Sequence, residues 1–359
     1  MNLKQLGKYR ILEELGRGGT WRRIVGAALV GIAIIITLAS CGSEKLPIKP
    51  YLSPVQTMLA APAKTMPPAP TQTLAITETP IPTEMPTNTL APTFTLTRAL
   101  GIGSTRTRPA DGMTMVYVPE GTFTMGDTVD QAMGECQKFR NDCQQSWFTD
   151  EQPPHDVSMD GYWIDKTEVT NVMYAKCLGA GACQAPSSIK SHTFSSYYGN
   201  PQYDHYPAIY VSWADASNYC TWAGVRLPTE AEWEKAARGT DGRIYPWGND
   251  SPSKSLLNYN SNVGDTTATG NSLPGASPFG AVDMAGNVWE WVNDWFGETY
   301  YSQSPQSNPQ GPSSGISRVL RGGSWVNDER KVRSAYRVGV NPAEGNGYVG
   351  FRCAQSAQP

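Results

Sequence analysis

Charge and histidine are both scarce in this sequence. Lys, Arg, Asp and Glu make up 17% of its 359 residues, the net charge is −3, and there are three histidines. With no surplus of basic residues to neutralise phosphates, charge excludes nucleic acid as a partner. His155, His192 and His205 are too far apart in sequence for any two to have metal-ligand spacing. Gly311-Pro312-Ser313-Ser314-Gly315 has the Gly-x-Ser-x-Gly spelling but falls in a loop-rich stretch rather than between a strand and a helix, so no hydrolase nucleophile elbow is read, and no internal repeat stands out. What is plentiful is Gly (35), Pro (28), Tyr (17) and Trp (11). Large amphipathic rings in such numbers fix irregular loops rather than long regular elements.

Residues 1–20 contain Leu6-Gly7-Lys8-Tyr9-Arg10 and Leu15-Gly16-Arg17-Gly18-Gly19. They resemble the opening strand and glycine-rich loop of a bacterial serine/threonine kinase. The strand lysine, catalytic Asp loop and metal-binding Asp that such chemistry needs do not follow, so this is a kinase-like stub without kinase activity. Residues 22–41 form a membrane segment. Ile24 to Ser40 carries no charge, follows Arg22 and Arg23, and is long enough to cross a bilayer. The six basic residues before it keep that side cytoplasmic. Leu38-Ala39-Ser40-Cys41-Gly42 resembles a bacterial lipobox with Cys41 as the acylated residue; an uncleaved anchor is the alternative. Either reading puts the rest of the chain outside the cytoplasm, at the cell membrane. Residues 42–108 are rich in Pro and Thr and read as a disordered linker.

From 109 to 356 the composition is that of one domain. Met115 to Val118 and Gly121 to Gly126 read as a hairpin, and His155 to Met159 as a strand. Thr170 and Ser212 cap helices that Gly179 and Gly224 end, and Thr229-Glu230-Ala231-Glu232 is a capping box for a helix reaching Arg238. Tyr245 to Arg318 reads as loop, with short strands at Val319–Arg321 and Gly350–Cys353. Gly280-Ala281-Val282-Asp283-Met284-Ala285-Gly286-Asn287-Val288-Trp289-Glu290-Trp291 has neither helical nor strand rhythm. Its Gly286-Asn287 turn is flanked by two carboxylates, which would either gather oxygens around Ca²⁺ or pair with arginines. Six of seven cysteines lie beyond residue 130, which suits an oxidising compartment. Cys177 with Cys183, and Cys136 with Cys143, close small loops, although four cysteines permit three connectivities.

Eight motifs occur in order. They are Gly121 to Gly126, Glu168-Val169-Thr170-Asn171, Val211-Ser212-Trp213, Arg226 to Glu234, Tyr245-Pro246-Trp247-Gly248, Gly286 to Trp291, Arg321-Gly322-Gly323-Ser324-Trp325 and Gly350-Phe351-Arg352. Through them residues 109–356 resemble the formylglycine-generating enzyme, or sulfatase-modifying factor, family. The resemblance implies an α+β fold, a loop-rich variant of the C-type-lectin-like fold, with two short helices flanking a twisted, mainly antiparallel sheet. It implies a Cys220–Cys353 disulfide. It implies two structural Ca²⁺ sites: Asp283 and Glu290 side chains with Gly286 and Val288 carbonyls, and Asn258 and Asp265 side chains with Tyr259 and Thr267 carbonyls. The family's oxidases bind Cu(I) through two cysteines after Arg-Gly-Gly-Ser. Here one of those positions is Ser334 and the other falls near Glu329, both hard oxygen donors, so copper and the oxidase reaction are not expected. Non-catalytic members bind ligands between the Arg-Gly-Gly-Ser-Trp and Gly-Phe-Arg motifs. That implies a surface of Trp325, Asn327, Arg333, Ser334, Tyr336 and Arg337 for an exported protein or glycan.

Overall fold

The structure is a computed structural model, and residues 100–357 of it are described here. The kinase-like stub, the membrane segment with Cys41, and the linker up to residue 99 lie outside the described residues. Among the described residues no helix is long and apolar enough to cross a membrane.

Side-chain caps set where the helices begin. The helices are α1 (Val129–Gln137), α2 (Asn171–Gly179), α3 (Trp213–Trp222) and α4 (Glu230–Arg238). Thr128, Thr170, Ser212 and Thr229 each accept a backbone N–H from the first turn. In α3 and α4 the third residue, Asp215 or Glu232, returns the bond to the cap's own N–H. Such reciprocal capping contributes about 1 kcal/mol per helix. Gly239, at φ 70°, ends α4 in a conformation that costs glycine nothing. The last three helices match the sequence reading. α1 was not anticipated.

The strands are β1 (Thr105–Thr107), β2 (Thr114–Val118), β3 (Gly121–Met125), β4 (His155–Met159), β5 (Tyr162–Asp165), β6 (Trp289–Trp295), β7 (Arg318–Arg321), β8 (Arg337–Val340), β9 (Val349–Phe351) and β10 (Ala354–Ser356). They form a sheet of order β1-β2-β5-β10, a β3-β4 pair, and a sheet of order β8-β7-β6-β9. All pairings are antiparallel except β6 with β9. Three sequence expectations need correcting. β2 and β3 do not pair as a hairpin: β2 runs between β1 and β5, and β3 takes β4. β1 lies inside the stretch read as linker, and Arg108 beyond it is buried in ion pairs with Asp111 and Asp165. Trp289 to Trp295, read as loop, is an inner strand of the second sheet. Its first six residues include no exposed position, so no alternation marks them.

Two large clusters make the core. Tyr174, Tyr219, Trp291, Leu320 and Phe351 pack α2 and α3 against the β6–β7–β9 face, with the Tyr174 and Tyr219 rings stacked at 5.7 Å. Val116, Ile164, Trp233, Val292 and Val319 pack α4 between the two four-stranded sheets' residues. Burying a side chain such as Phe351 contributes about 1.5–3 kcal/mol. All three expected disulfides are present: Cys136–Cys143, Cys177–Cys183 and Cys220–Cys353.

Candidate functional site

Arginines from the two glycine-containing motifs and from the segment between them reach inward and grip carboxylates from distant elements. Arg352, just after β9, holds Glu290 on β6 with two bonds, Nε to Oε2 at 2.6 Å and the second guanidinium nitrogen to Oε1 at 2.7 Å. Trp233 Nε1 donates to the same Oε2 at 2.7 Å. Arg337 grips Glu230 in the same fork, at 2.7 and 2.8 Å. Arg321 reaches Glu234 at 2.5 Å and the carbonyls of Ser334 and Ala335. Arg333 binds Glu151 at 2.6 and 2.9 Å and Asp127 at 3.3 Å. All four guanidiniums are buried, where two-pronged pairing is the geometry that offsets desolvation. Burial works against the Glu230 charge, but Arg337 and Arg321 hold its carboxyl below the usual range.

This network corrects the expected ligand surface. Arg333, Ser334, Arg337 and Trp325 are buried; Asn327 and Tyr336 are half-buried. The carboxylates that draw the arginines inward come from residues 127, 151 and 230, too distant in sequence to be read locally. Ser334 Oγ, at the position of a copper cysteine, is buried without a hydrogen-bond partner. All six cysteines among the described residues are in disulfides, so no thiolate faces Ser334. The donor set there does not fit Cu(I).

The turn before β6 is different. Asp283 and Asn287 adopt left-handed backbone, at φ 57° and 58°, which points to a constrained site. Asp283 accepts a bond from Gly270 N at 2.6 Å, and the Glu168 carboxyl is near enough for the two charges to interact. Burial pushes Asp283 up to about 6. Glu168 is pushed well above the usual carboxylate range by burial and by the Asp283 charge. Asn287 bridges this group to Asn258: its Nδ2 donates to Glu168 Oε1 at 2.9 Å, and its Oδ1 accepts from Asn258 Nδ2 at 3.3 Å. Glu168 Oε2 and Asn258 Oδ1 are buried and have no donor.

Neither expected Ca²⁺ set is assembled as read. Glu290 is committed to Arg352 and Trp233. Asp265 takes bonds from Ser191, Thr193 and Thr266; burial opposes its charge, yet those bonds hold it below the usual range. The Tyr259 and Thr267 carbonyls also accept bonds, from Asn262 and Asn287. Of the expected residues, Asp283 and Asn258 keep oxygens at the turn, next to the two carbonyl-bearing residues Gly286 and Val288. Among the described residues no three His, Cys, Asp or Glu side chains gather as a metal site. An oxygen site here would depend on amide and carbonyl ligands as well as two carboxylates, a mixture that suits Ca²⁺.

A cavity of about 460 Å³ opens on another face, lined by Ser187, Tyr210, Ser212, Trp213, Ala214, Asp215, Pro342, Ala343 and Gly345. It lies where the α3 N-terminus meets the loop after β8. Tyr210 has φ 61° and is held there by bonds to Ser187 and Asn346. A Cβ on Gly345 would lie 2.8 Å from the Tyr210 carbonyl carbon, so only glycine lets the loop close on it. The Trp213 ring is fixed by its bond to the Val292 carbonyl and by Arg318 at 3.7 Å.

Comparison with known proteins agrees with this architecture. Residues 102–357 match the family described as Sulfatase-modifying factor enzyme 1-like domain. The chain belongs to that family. This sulfatase-modifying factor domain is 34% identical over 300 residues to the formylglycine-generating enzyme of Streptomyces coelicolor, covering 70% of this chain and 91% of that one. It is 39% identical over 222 residues to the serine/threonine-protein kinase pkn1 of Chlamydia caviae, covering 58% of this chain. The chain spans about a third of that kinase's length (35%). Among solved structures, PvdO from Pseudomonas aeruginosa superposes with a TM-score of 0.58 at 26% identity, over 72% of this chain and all of that one. Treponema denticola variable protein 1 gives 0.56 at 25%, over 71% and 99%.

Two features of the sulfatase-modifying factor domain escaped the sequence reading. Glu168 was visible only as a motif letter before the α2 cap, with nothing to place it beside Asp283, more than a hundred positions away. The cavity joins residues 187, 210, 212–215, 342, 343 and 345, and its one local signal was the Val211-Ser212-Trp213 motif.

Proposed function

We propose that this protein is a ligand-binding member of the sulfatase-modifying factor family that does not perform copper-dependent cysteine oxidation. The observation that carries the reading is the sulfur inventory: every cysteine of the domain is in a disulfide, and Ser334 stands where the oxidases keep a thiolate. The 460 Å³ cavity beside Trp213 is then the place for a ligand, since a concave, mainly apolar site with a few polar groups is where binding concentrates. Glu168, Asp283 and Asn258 would hold a structural Ca²⁺, which would supply the positive charge their free oxygens lack.

In the same reading the uncharged run before Cys41 tethers the domain to the outer face of the cell membrane. Palmitate labelling that disappears in Cys41→Ser supports a lipoprotein; membrane retention without label means an uncleaved anchor.

The decisive test incubates the protein with Cu(I), O₂, a thiol reductant that supplies the two electrons the reaction needs, and a Cys-x-Pro-x-Arg peptide, and reads the peptide by mass spectrometry. Unchanged cysteine is the expected result. Conversion to formylglycine would make the protein an enzyme acting on an exported sulfatase, and would end the binding-module reading.

A further inference from the structure

We infer that the cavity between α3 and the loop after β8 takes the side chain of a lysine presented by a partner protein. The inference rests on the proposed binding role and adds the chemistry of the ligand. None of the nine residues lining the cavity is basic, and one, Asp215, is a carboxylate. Glu344, exposed between the lining residues Ala343 and Gly345, adds a second negative charge at the mouth. The walls are otherwise apolar or aromatic: Trp213, Tyr210, Pro342, Ala343 and Ala214. Apolar walls ending at a carboxylate match a four-carbon stem that carries a cation, because the stem is desolvated along the rings while the charge meets its counter-ion.

The geometry selects lysine over arginine. Asp215 Oδ2 already accepts both the N–H and the hydroxyl of Ser212, at 3.0 and 2.5 Å. That leaves Oδ1 as one open acceptor, which suits a compact ammonium; a guanidinium fork needs two. Trp213 cannot turn away to refuse the ligand, being bonded to the Val292 carbonyl and stacked on Arg318 at 3.7 Å, which is itself backed by Trp295 at 3.6 Å. Tyr210 contributes a second ring from a backbone conformation that non-glycine residues rarely adopt.

Saturation-transfer NMR on the full chain tests this with three probes: N-acetyl-lysine methylamide, its norleucine analogue lacking the ammonium, and glucosamine. The expected result is transfer to the lysine stem, with binding about tenfold tighter than for norleucine. Asp215→Asn should remove that preference, Glu344→Gln should reduce it, and Ala343→Trp should abolish transfer from every probe. Ala343 is exposed, so filling the cavity there leaves the core untouched. Equal binding of lysine and norleucine probes would overturn the charge argument while leaving a binding site in place. Tighter binding of glucosamine would replace the protein partner with a glycan. No transfer from any probe would remove both this inference and the cavity's role in the proposed function.

Discussion

The arginine-gripped carboxylates and the carboxylates of the 283–287 turn sit in one domain, at similar burial, and behave as opposites. Glu290 and Glu230 each have a guanidinium fork, so their charge is answered from within the chain. Glu168 and Asp283 have no such fork: Asp283 takes the Gly270 N–H, Glu168 Oε1 takes the Asn287 amide, and Glu168 Oε2 has nothing. Burial alone therefore does not say whether an acidic residue is structural. What decides is whether its oxygens are already spoken for. The first region is closed and holds the fold; the second keeps a buried carboxylate oxygen without a donor, which is where the proposed cation would go.

Four experiments would break or sharpen that contrast. The closed region is also covalently fastened, since Cys353 follows Arg352 and bonds to Cys220 on α3. Replacing both cysteines by Ser should cost about 5 kcal/mol in urea unfolding, given a sequence separation of 133; a loss under about 1 kcal/mol would show the clamp holds without it. Arg352→Ala should cost about 3–5 kcal/mol because it strands Glu290 in the core. Adding Glu290→Gln to it should recover part of the loss, and no recovery would mean that Arg352 matters through its carbonyl bonds instead.

On the open side the signs reverse. The folded Asp283 carboxyl titrates at about 6, above its unfolded value. Its stabilising contribution is therefore complete below about pH 4 and lost as pH rises through 6. In chelator, Asp283→Asn should gain on the unmutated protein by up to about 3 kcal/mol between pH 4 and 7. A difference that ignores pH would mean Asp283 is ionised and paired. The smallest effect concerns Glu168→Gln. In chelator it should be neutral or stabilising by about 1 kcal/mol, while at pH 7.5 it should remove the rise in Tm that Ca²⁺ gives the unmutated protein. If Ca²⁺ leaves that Tm unmoved from the start, the turn is not a cation site.

What could be read from the sequence was mostly what is settled within a few residues. Thr229 with Glu232 announces a helix because the cap and its partner are three positions apart. Cys177 and Cys183 announce a loop for the same reason. β6 failed that test, as none of its residues is exposed to mark an alternation and Glu290 is satisfied from position 352. The β2–β3 hairpin failed because strand partners are chosen by packing across the domain, not by the shortness of the Pro119-Glu120 connection. The motif resemblance supplied the family and the long-range Cys220–Cys353 bond, which no local rule gives. It could not supply the fate of Arg333 and Arg337, which lie between the motifs and whose acidic partners are far off in sequence, at Glu151 and at the start of α4.

Both large sheets are completed by one late segment. Residues 349–351 add β9 beside β6, and 354–356 add β10 beside β5. A ribosome making this chain therefore releases nearly the whole domain before either sheet can close. Until then β6 and β5 each keep an unzipped edge, and Cys220 has no lasting partner. Closure of both sheets thus waits for the last few residues of the domain, whatever the order in which the earlier strands pair.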